Sequence, residues 1–115
     1  MQTYKGACHC GHIQFEVDLV LDHVRVCDCS VCRKRGALNF RVKDDQIRVQ
    51  TPLVDMTLYQ WHTMTAKDYF CPFCGILPFR RPRTAPEIWT VNIRCLDNVS
   101  LDEIPVRKIS GSQLS

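Results

Sequence analysis

Seven of the eight cysteines fall into three short groups, and this clustering constrains the chain more than any other feature. The central group runs C-x-C-x-x-C and contains Cys27, Cys29 and Cys32. The flanking groups are a C-x-C pair upstream and a C-x-x-C pair downstream, namely Cys8, Cys10, Cys71 and Cys74. A packed core has no use for crowded thiols, whereas deprotonated thiolates are soft, anionic ligands that suit zinc. The pattern therefore predicts metal binding.

The expected compartment bears on whether these cysteines bind metal or form disulfides. The N-terminal residues lack the apolar segment of a secretory signal, and no apolar run approaches the roughly 20 residues that a membrane helix needs. We therefore expect a cytoplasmic, reducing setting without membrane association, in which disulfides are rare. The close cysteine spacings also suit chelation better than the closure of long loops. Both arguments favour metal over disulfides.

The cysteine count predicts two zinc ions per chain with different roles. The four outer thiolates are enough to close a tetrahedral structural site. The three central thiolates leave one position open, as catalytic zinc sites do. Cys27, Cys29 and Cys32 are therefore the candidate catalytic residues as well as candidate metal ligands.

Closure by a fourth protein ligand is the alternative to an open central site. Cys95 is the first candidate for that ligand, and the others are the histidines His9, His12, His23 and His62. Cys95 follows a predicted strand whose inward face carries Val91 and Ile93, so it is also explained as a buried apolar thiol. Catalytic zinc typically keeps three protein ligands, and this favours the open site.

Alternation of apolar and polar residues predicts a mostly β fold. The clearest strand spans Ile13–Leu19, with Ile13, Phe15, Val17 and Leu19 facing inward. No stretch keeps a helical period of 3.6 residues for more than about two turns. Further short strands are predicted over 37–42, 47–50, 57–63, 88–93 and 106–109. We expect one domain over residues 1–109 and a loose tail over 110–115, since 115 residues suit a single domain.

Two basic segments are candidates to receive substrate carboxylates, because arginine binds these groups bidentately. A basic turn is predicted at Arg33–Gly36 and an irregular basic loop at Arg80–Arg83. Their cations are Arg33, Lys34, Arg35, Arg80, Arg81 and Arg83, although most such groups are simply solvated surface. The formal charge of +3 suits an anionic small molecule at least as well as nucleic acid. The absence of aromatic residues beside the first segment argues against a nucleic-acid partner.

The predicted ligand sets also indicate a type of chemistry. Cys71–Gly75 has the form of a zinc knuckle, a tight turn whose amides point toward thiolate sulfurs. A central zinc held by three thiolates has a formal charge of −1, which limits its Lewis acidity toward water. An entering thiol is a better match for the fourth position, so reaction at a carbon–sulfur bond is favoured over hydrolysis. The alternative is a non-catalytic zinc module that binds protein or nucleic acid.

These motifs resemble those of the glutathione-dependent formaldehyde-activating enzyme family, which includes centromere protein V. The similarity runs from Tyr4 to about Gly111, nearly the whole chain. It rests on the three cysteine groups with their neighbouring residues, on Arg81-Pro82-Arg83 with Pro86, and on the segment from Val91 to Asp97.

The resemblance implies a mainly β, Mss4-like β-tent fold with two zinc sites. It implies a structural zinc at the outer four cysteines, a catalytic zinc at the central three, and no ligand role for Cys95. The implied activity is that of a carbon–sulfur lyase, with a small thiol such as glutathione and an aldehyde as partners and S-(hydroxymethyl)glutathione as the adduct. The chain departs from the family pattern at Asp68, where histidine is frequent, and at residues 110–114, where an acid and a tryptophan are missing.

Overall fold

The computed structural model describes residues 1–109, which form ten β-strands in two sheets and one short α-helix. The strands are β1 Gln2–Ala7, β2 Gln14–Leu19, β3 Val24–Cys27, β4 Asn39–Val42, β5 Ile47–Val49, β6 Thr57–Tyr59, β7 Lys67–Phe70, β8 Phe79–Arg81, β9 Trp89–Asn92 and β10 Val106–Ile109. The helix is α1 Ser30–Arg35, and 3-10 turns lie at Asp44–Gln46, Leu53–Asp55, Ile93–Cys95 and Leu101–Glu103. The predicted tail at 110–115 lies outside the described residues. The prediction of a mainly β fold is confirmed.

The smaller sheet has the order β1-β2-β5, with antiparallel pairing throughout. Its central strand matches the alternating segment predicted from the sequence. The four inward residues Ile13, Phe15, Val17 and Leu19 are at most 1% exposed. The opposite face of β2 is polar and carries Asp18, which accepts hydrogen bonds from Arg48 of β5. One face of this sheet is therefore core and the other is charged surface.

The larger sheet has the order β10-β3-β4-β9-β8-β7-β6. β10 runs parallel to β3, and the other neighbours are antiparallel. Phe79 of β8 packs edge-to-face against Phe15 of β2, with ring centroids 5.5 Å apart, and against Trp89 of β9. These contacts form a core that joins the two sheets.

Three local predictions were wrong, each for an identifiable reason. The basic segment after Cys32 belongs to α1, whose C-terminus is closed by Gly36 at a positive φ of 70°. The predicted basic loop begins as β8, because Phe79–Arg81 pairs on both sides in the sheet. The strand predicted over 57–63 stops at Tyr59, and the chain then turns through His62 and Met64, both at positive φ. Within residues 1–109, none of the helices combines the length and apolarity needed to cross a membrane.

Candidate metal centres and the adjoining cavity

The outer cysteine cluster joins two turns that are distant in sequence. Cys8 and Cys10 lie in the connection from β1 to β2, and Cys71 and Cys74 lie in the turn after β7. The four Sγ atoms lie within 4.8 Å of one another, with 3.8 Å between Cys8 and Cys10 and 3.6 Å between Cys10 and Cys71. Zinc–sulfur bonds of about 2.3 Å in a tetrahedron separate the sulfurs by about 3.8 Å. The donor set and its spacing therefore fit a zinc ion.

Backbone amides surround the sulfurs of the outer cluster. The Ile13 amide donates to Cys8 Sγ at 3.2 Å, and the Phe73 and Cys74 amides donate to Cys71 Sγ at 3.4 and 3.5 Å. Gly75 follows at a φ of +79°, a conformation that glycine adopts without steric cost. This is the geometry predicted for a knuckle, a tight turn whose amides point toward sulfur.

The central cysteine cluster lies where β3 ends and α1 begins. Cys27 is the last residue of β3, Cys29 is the N-cap of α1, and Cys32 lies within the helix. Their Sγ atoms also lie within 4.8 Å of one another. The Cys32 amide donates to Cys29 Sγ at 3.4 Å. Burial raises the pKa of the Cys32 thiol, as does its hydrogen bond with Cys29, while the charge of Arg80 opposes this rise.

Cys95 does not join the central cluster. It lies in the 3-10 turn after β9, is buried, and directs its thiol toward the Leu77 carbonyl at 3.9 Å. Burial raises its pKa to about 12, and the charges of nearby Cys8 and Cys74 add to the rise, which places it beside the outer cluster. Strand alternation predicted a buried thiol at Cys95, and the thiol is buried, but alternation is not the reason, because β9 ends at Asn92 and Cys95 lies in the turn that follows. Among residues 1–109, no histidine or acid joins the three central cysteines.

A cavity of about 100 Å³ adjoins the central cluster. Its walls come from one face of the larger sheet, from the Trp61–Thr63 loop and from the segment after β8. Alternation explains the sheet's contribution, since Arg25 lies two residues before Cys27 on β3 and therefore shares its face. The lining residues include Arg25, Cys27, Cys29, Cys32, Asn39, Arg41, Trp61, His62, Arg80, Arg83 and Thr90. The central sulfurs thus line a pocket to which several arginines also contribute.

Only some of the basic residues that were predicted to bind carboxylates line the cavity. Arg80 and Arg83 line the cavity, whereas Arg33 and Lys34 are exposed at the end of α1 and do not. Arg81 lies on the opposite face of β8, where it bonds Asp44 at 2.8 Å and stacks 3.8 Å above the Trp89 ring.

Sequence reasoning missed Arg25 and Arg41, because neither lies in a basic run. Burial lowers the pKa of Arg41, and the nearby positive charges of Arg25 and Arg80 lower it further. Among residues 1–109, the wall of the cavity contains several arginines and no Asp or Glu, which favours an anionic occupant.

Asp68 of β7 links the cavity wall to the central cluster. Its side chain is 0% exposed and accepts from Arg80 Nε at 2.6 Å and from Arg35 Nη2 at 3.3 Å. Arg80 Nη1 in turn lies 3.6 Å from Cys32 Sγ. Asp68, where the sequence has an acid in place of a frequent histidine, is therefore a buried acid that binds two arginines.

Comparison with known proteins agrees with this geometry. A family model described as glutathione-dependent formaldehyde-activating enzyme matches residues 3–109. A Rhodobacter sphaeroides protein, solved as a crystal structure by structural genomics, is 40% identical to this chain and superposes with a TM-score of 0.80. That similarity covers 90% of this chain and 99% of the other. The chain therefore belongs to the glutathione-dependent formaldehyde-activating enzyme family.

Proposed function

We propose that this protein is a zinc-dependent carbon–sulfur lyase that acts on a thiol–aldehyde adduct of the S-(hydroxymethyl)glutathione type. Family membership supports glutathione-dependent formaldehyde activation at the level of the family. The observation that carries the finer proposal is the group of three central sulfurs at the wall of a cavity rich in arginine. An all-sulfur set of three suits zinc with a free coordination position.

The two clusters would hold zinc for different purposes. Cys8, Cys10, Cys71 and Cys74 supply four sulfurs that can close a structural site. Cys27, Cys29 and Cys32 supply three, and zinc bound there would lower the pKa of an entering thiol so that it is held as a thiolate at neutral pH. The remaining tasks, binding and orienting the substrate, belong to the side chains around the cavity.

The reaction balances without any oxidant or reductant. In the direction of synthesis, a sulfur lone pair attacks the aldehyde carbon and forms the carbon–sulfur bond. The electron pair of the carbonyl π bond moves to oxygen, which takes up the proton that the thiol released. The lyase direction reverses each step, so the adduct's hydroxyl loses a proton while the carbon–sulfur bond breaks.

In this proposal the reacting end of the thiol lies in the cavity beside the central sulfurs, and the rest of glutathione extends toward the entrance. Arg25, Arg41 and Arg83 lie around the cavity and would bind the carboxylates of the thiol substrate, while the polar side chains of Asn39 and Thr90 would contact its buried end. Thiols that carry carboxylates should therefore bind better than neutral thiols of the same size.

Cobalt substitution tests the proposal directly, because sulfur-to-cobalt charge transfer responds to an added sulfur donor. We expect glutathione to perturb the charge-transfer band of the cobalt protein, and Cys29→Ser to abolish that response. Formaldehyde added with glutathione should then form the S-hydroxymethyl adduct faster than in buffer.

Two results would contradict different parts of the proposal. A spectrum that ignores every small thiol tested would indicate a closed site and favour a non-catalytic zinc module. A spectrum that responds to thiols, without acceleration for any aldehyde, would retain the open site and reject the lyase reaction.

A further inference from the structure

Asp68 is a buried charged group on a strand of the larger sheet. Its side chain is 0% exposed, and it lies on β7 directly opposite Arg80 of β8 in the antiparallel register. A buried carboxylate is costly unless it is paired and hydrogen-bonded, and both of its partners here are arginines. The partners are the features that connect this acid to the central cluster.

The first partner, Arg80, reaches the central cluster with its other end. Its Nε donates to Asp68 at 2.6 Å, and its Nη1 donates toward Cys32 Sγ at 3.6 Å. The guanidinium is planar and rigid, so fixing Nε also fixes the direction of Nη1. The acid therefore determines where the arginine's remaining donors point.

The second partner, Arg35, lies on the helix that carries Cys32. Arg35 is in the last turn of α1, three residues after Cys32, and its Nη2 lies 3.3 Å from Asp68. One carboxylate is thus shared by the arginine that contacts the sulfur and by an arginine in the last turn of α1 that does not. Neither Arg35 nor Asp68 lines the cavity.

We propose that Asp68 is a positioning residue for the central metal site, acting through Arg80. It holds the Arg80 guanidinium in the orientation that donates to Cys32 Sγ, and this donation offsets the negative charge of the three-thiolate set. Groups that hydrogen-bond metal ligands typically change metal affinity by about 10- to 100-fold. The inference rests on the proposed function only in requiring that the central cysteines bind a metal.

The experiment measures zinc affinity at each site by competition with a chromophoric chelator, using the full-length protein. We expect Arg80→Met and Asp68→Asn each to weaken the central site by about 10-fold or more and to leave the outer site unchanged. Arg35→Met is the matched control, because it removes the other partner of Asp68 but no contact with Cys32. It should leave the central affinity within about threefold of the original.

A double variant separates positioning from a general effect on folding. If Asp68 acts through Arg80, Asp68→Asn should weaken the central site no further in a protein that already carries Arg80→Met. The cobalt charge-transfer band of the central site should shift alike in both single variants. Additive losses of affinity in the double variant would show that Asp68 acts independently of Arg80 and would overturn the assignment.

Loss of the fold in Asp68→Asn would not prevent the test. Asp68→Glu keeps the buried charge and lengthens the side chain by one methylene, which displaces Arg80 from Cys32. It should weaken the central site alone, and an unchanged affinity would contradict the assignment. If the original protein binds only one zinc ion, the proposed function is contradicted. If it binds two zinc ions and Arg80→Met does not change the affinity of the central site, only the role of Asp68 is contradicted.

Discussion

The two cysteine clusters use the same ligand atom in different surroundings. The outer four sulfurs join turns about sixty residues apart in the chain and receive hydrogen bonds from backbone amides of Ile13, Phe73 and Cys74. The central three come from a single strand end and the short helix after it. A backbone amide also donates to Cys29 Sγ, but the central sulfurs in addition line a cavity whose wall includes Arg25, Arg41, Arg80 and Arg83.

Under the proposed function, this difference would separate a structural site from a reactive site built from the same residue. Backbone amides hold sulfur in a fixed geometry and contribute no specificity for a substrate. Charged side chains around a cavity can bind an anionic ligand and adjust the charge of the sulfur set. The outer site should therefore control stability, and the central site should control reactivity.

The largest expected effect is loss of the fold when an outer ligand is removed. Binding of structural zinc contributes on the order of 10 kcal/mol in small zinc domains, which equals the whole stability of a typical domain. Cys71→Ser should therefore be unfolded or aggregated under conditions in which the original protein is folded. Circular dichroism and size-exclusion chromatography check this, and a cooperative melt near the original midpoint would refute the structural role of the outer site.

The second expected effect is loss of activity without loss of the fold when a central ligand is removed. Cys29→Ser should remain folded, retain one zinc ion per chain, and lose at least about 100-fold in adduct formation, more than the loss typical for groups that only contact a metal ligand. Elemental analysis, a thermal melt and the adduct assay together test this. Equal melting of the Cys29 and Cys71 variants would remove the distinction between the sites.

A smaller effect should follow from changing an arginine of the cavity. Arg41→Gln should raise KM for glutathione by about 10-fold or more, because hydrogen bonds to a charged group contribute about 1.5–3 kcal/mol. The increase should be smaller at high salt, which screens the charge that the variant lacks. Arg33→Gln is the matched control, since Arg33 is exposed and does not line the cavity. Equal KM values for both variants would place substrate binding elsewhere.

The smallest expected effect concerns Cys95, which lies near the outer cluster but belongs to neither of the two cysteine clusters. Cys95→Ala should retain both zinc ions and lose about 1 kcal/mol of unfolding free energy, as is usual for a small change in a core. Metal analysis and urea denaturation are the measurements. Loss of one zinc ion would identify Cys95 as a ligand, which would make the division into four and three cysteines wrong.

Much of the fold could be predicted because it depends on local periodicity. Alternation identified β2 and the four buried residues in and just before it, and a strand was also expected near residues 106–109, where β10 lies. The ends of strands were less predictable. The loop that contains Trp61 turns at His62, and the helix after Cys29 ends at Gly36. Both residues have positive φ, which alternation does not reveal.

The sequence by itself determined the three short cysteine groups and the mainly β fold, because short spacings and strand periods act within a few residues. Only the tertiary structure decided which cations surround the central sulfurs. It brought Arg25, Arg41 and Arg80 to the cavity and left Arg33 and Arg81 outside it. It also brought Asp68 to Arg80, and Arg80 to Cys32. The physical reason is that these contacts depend on the order and register of strands that are distant in the chain.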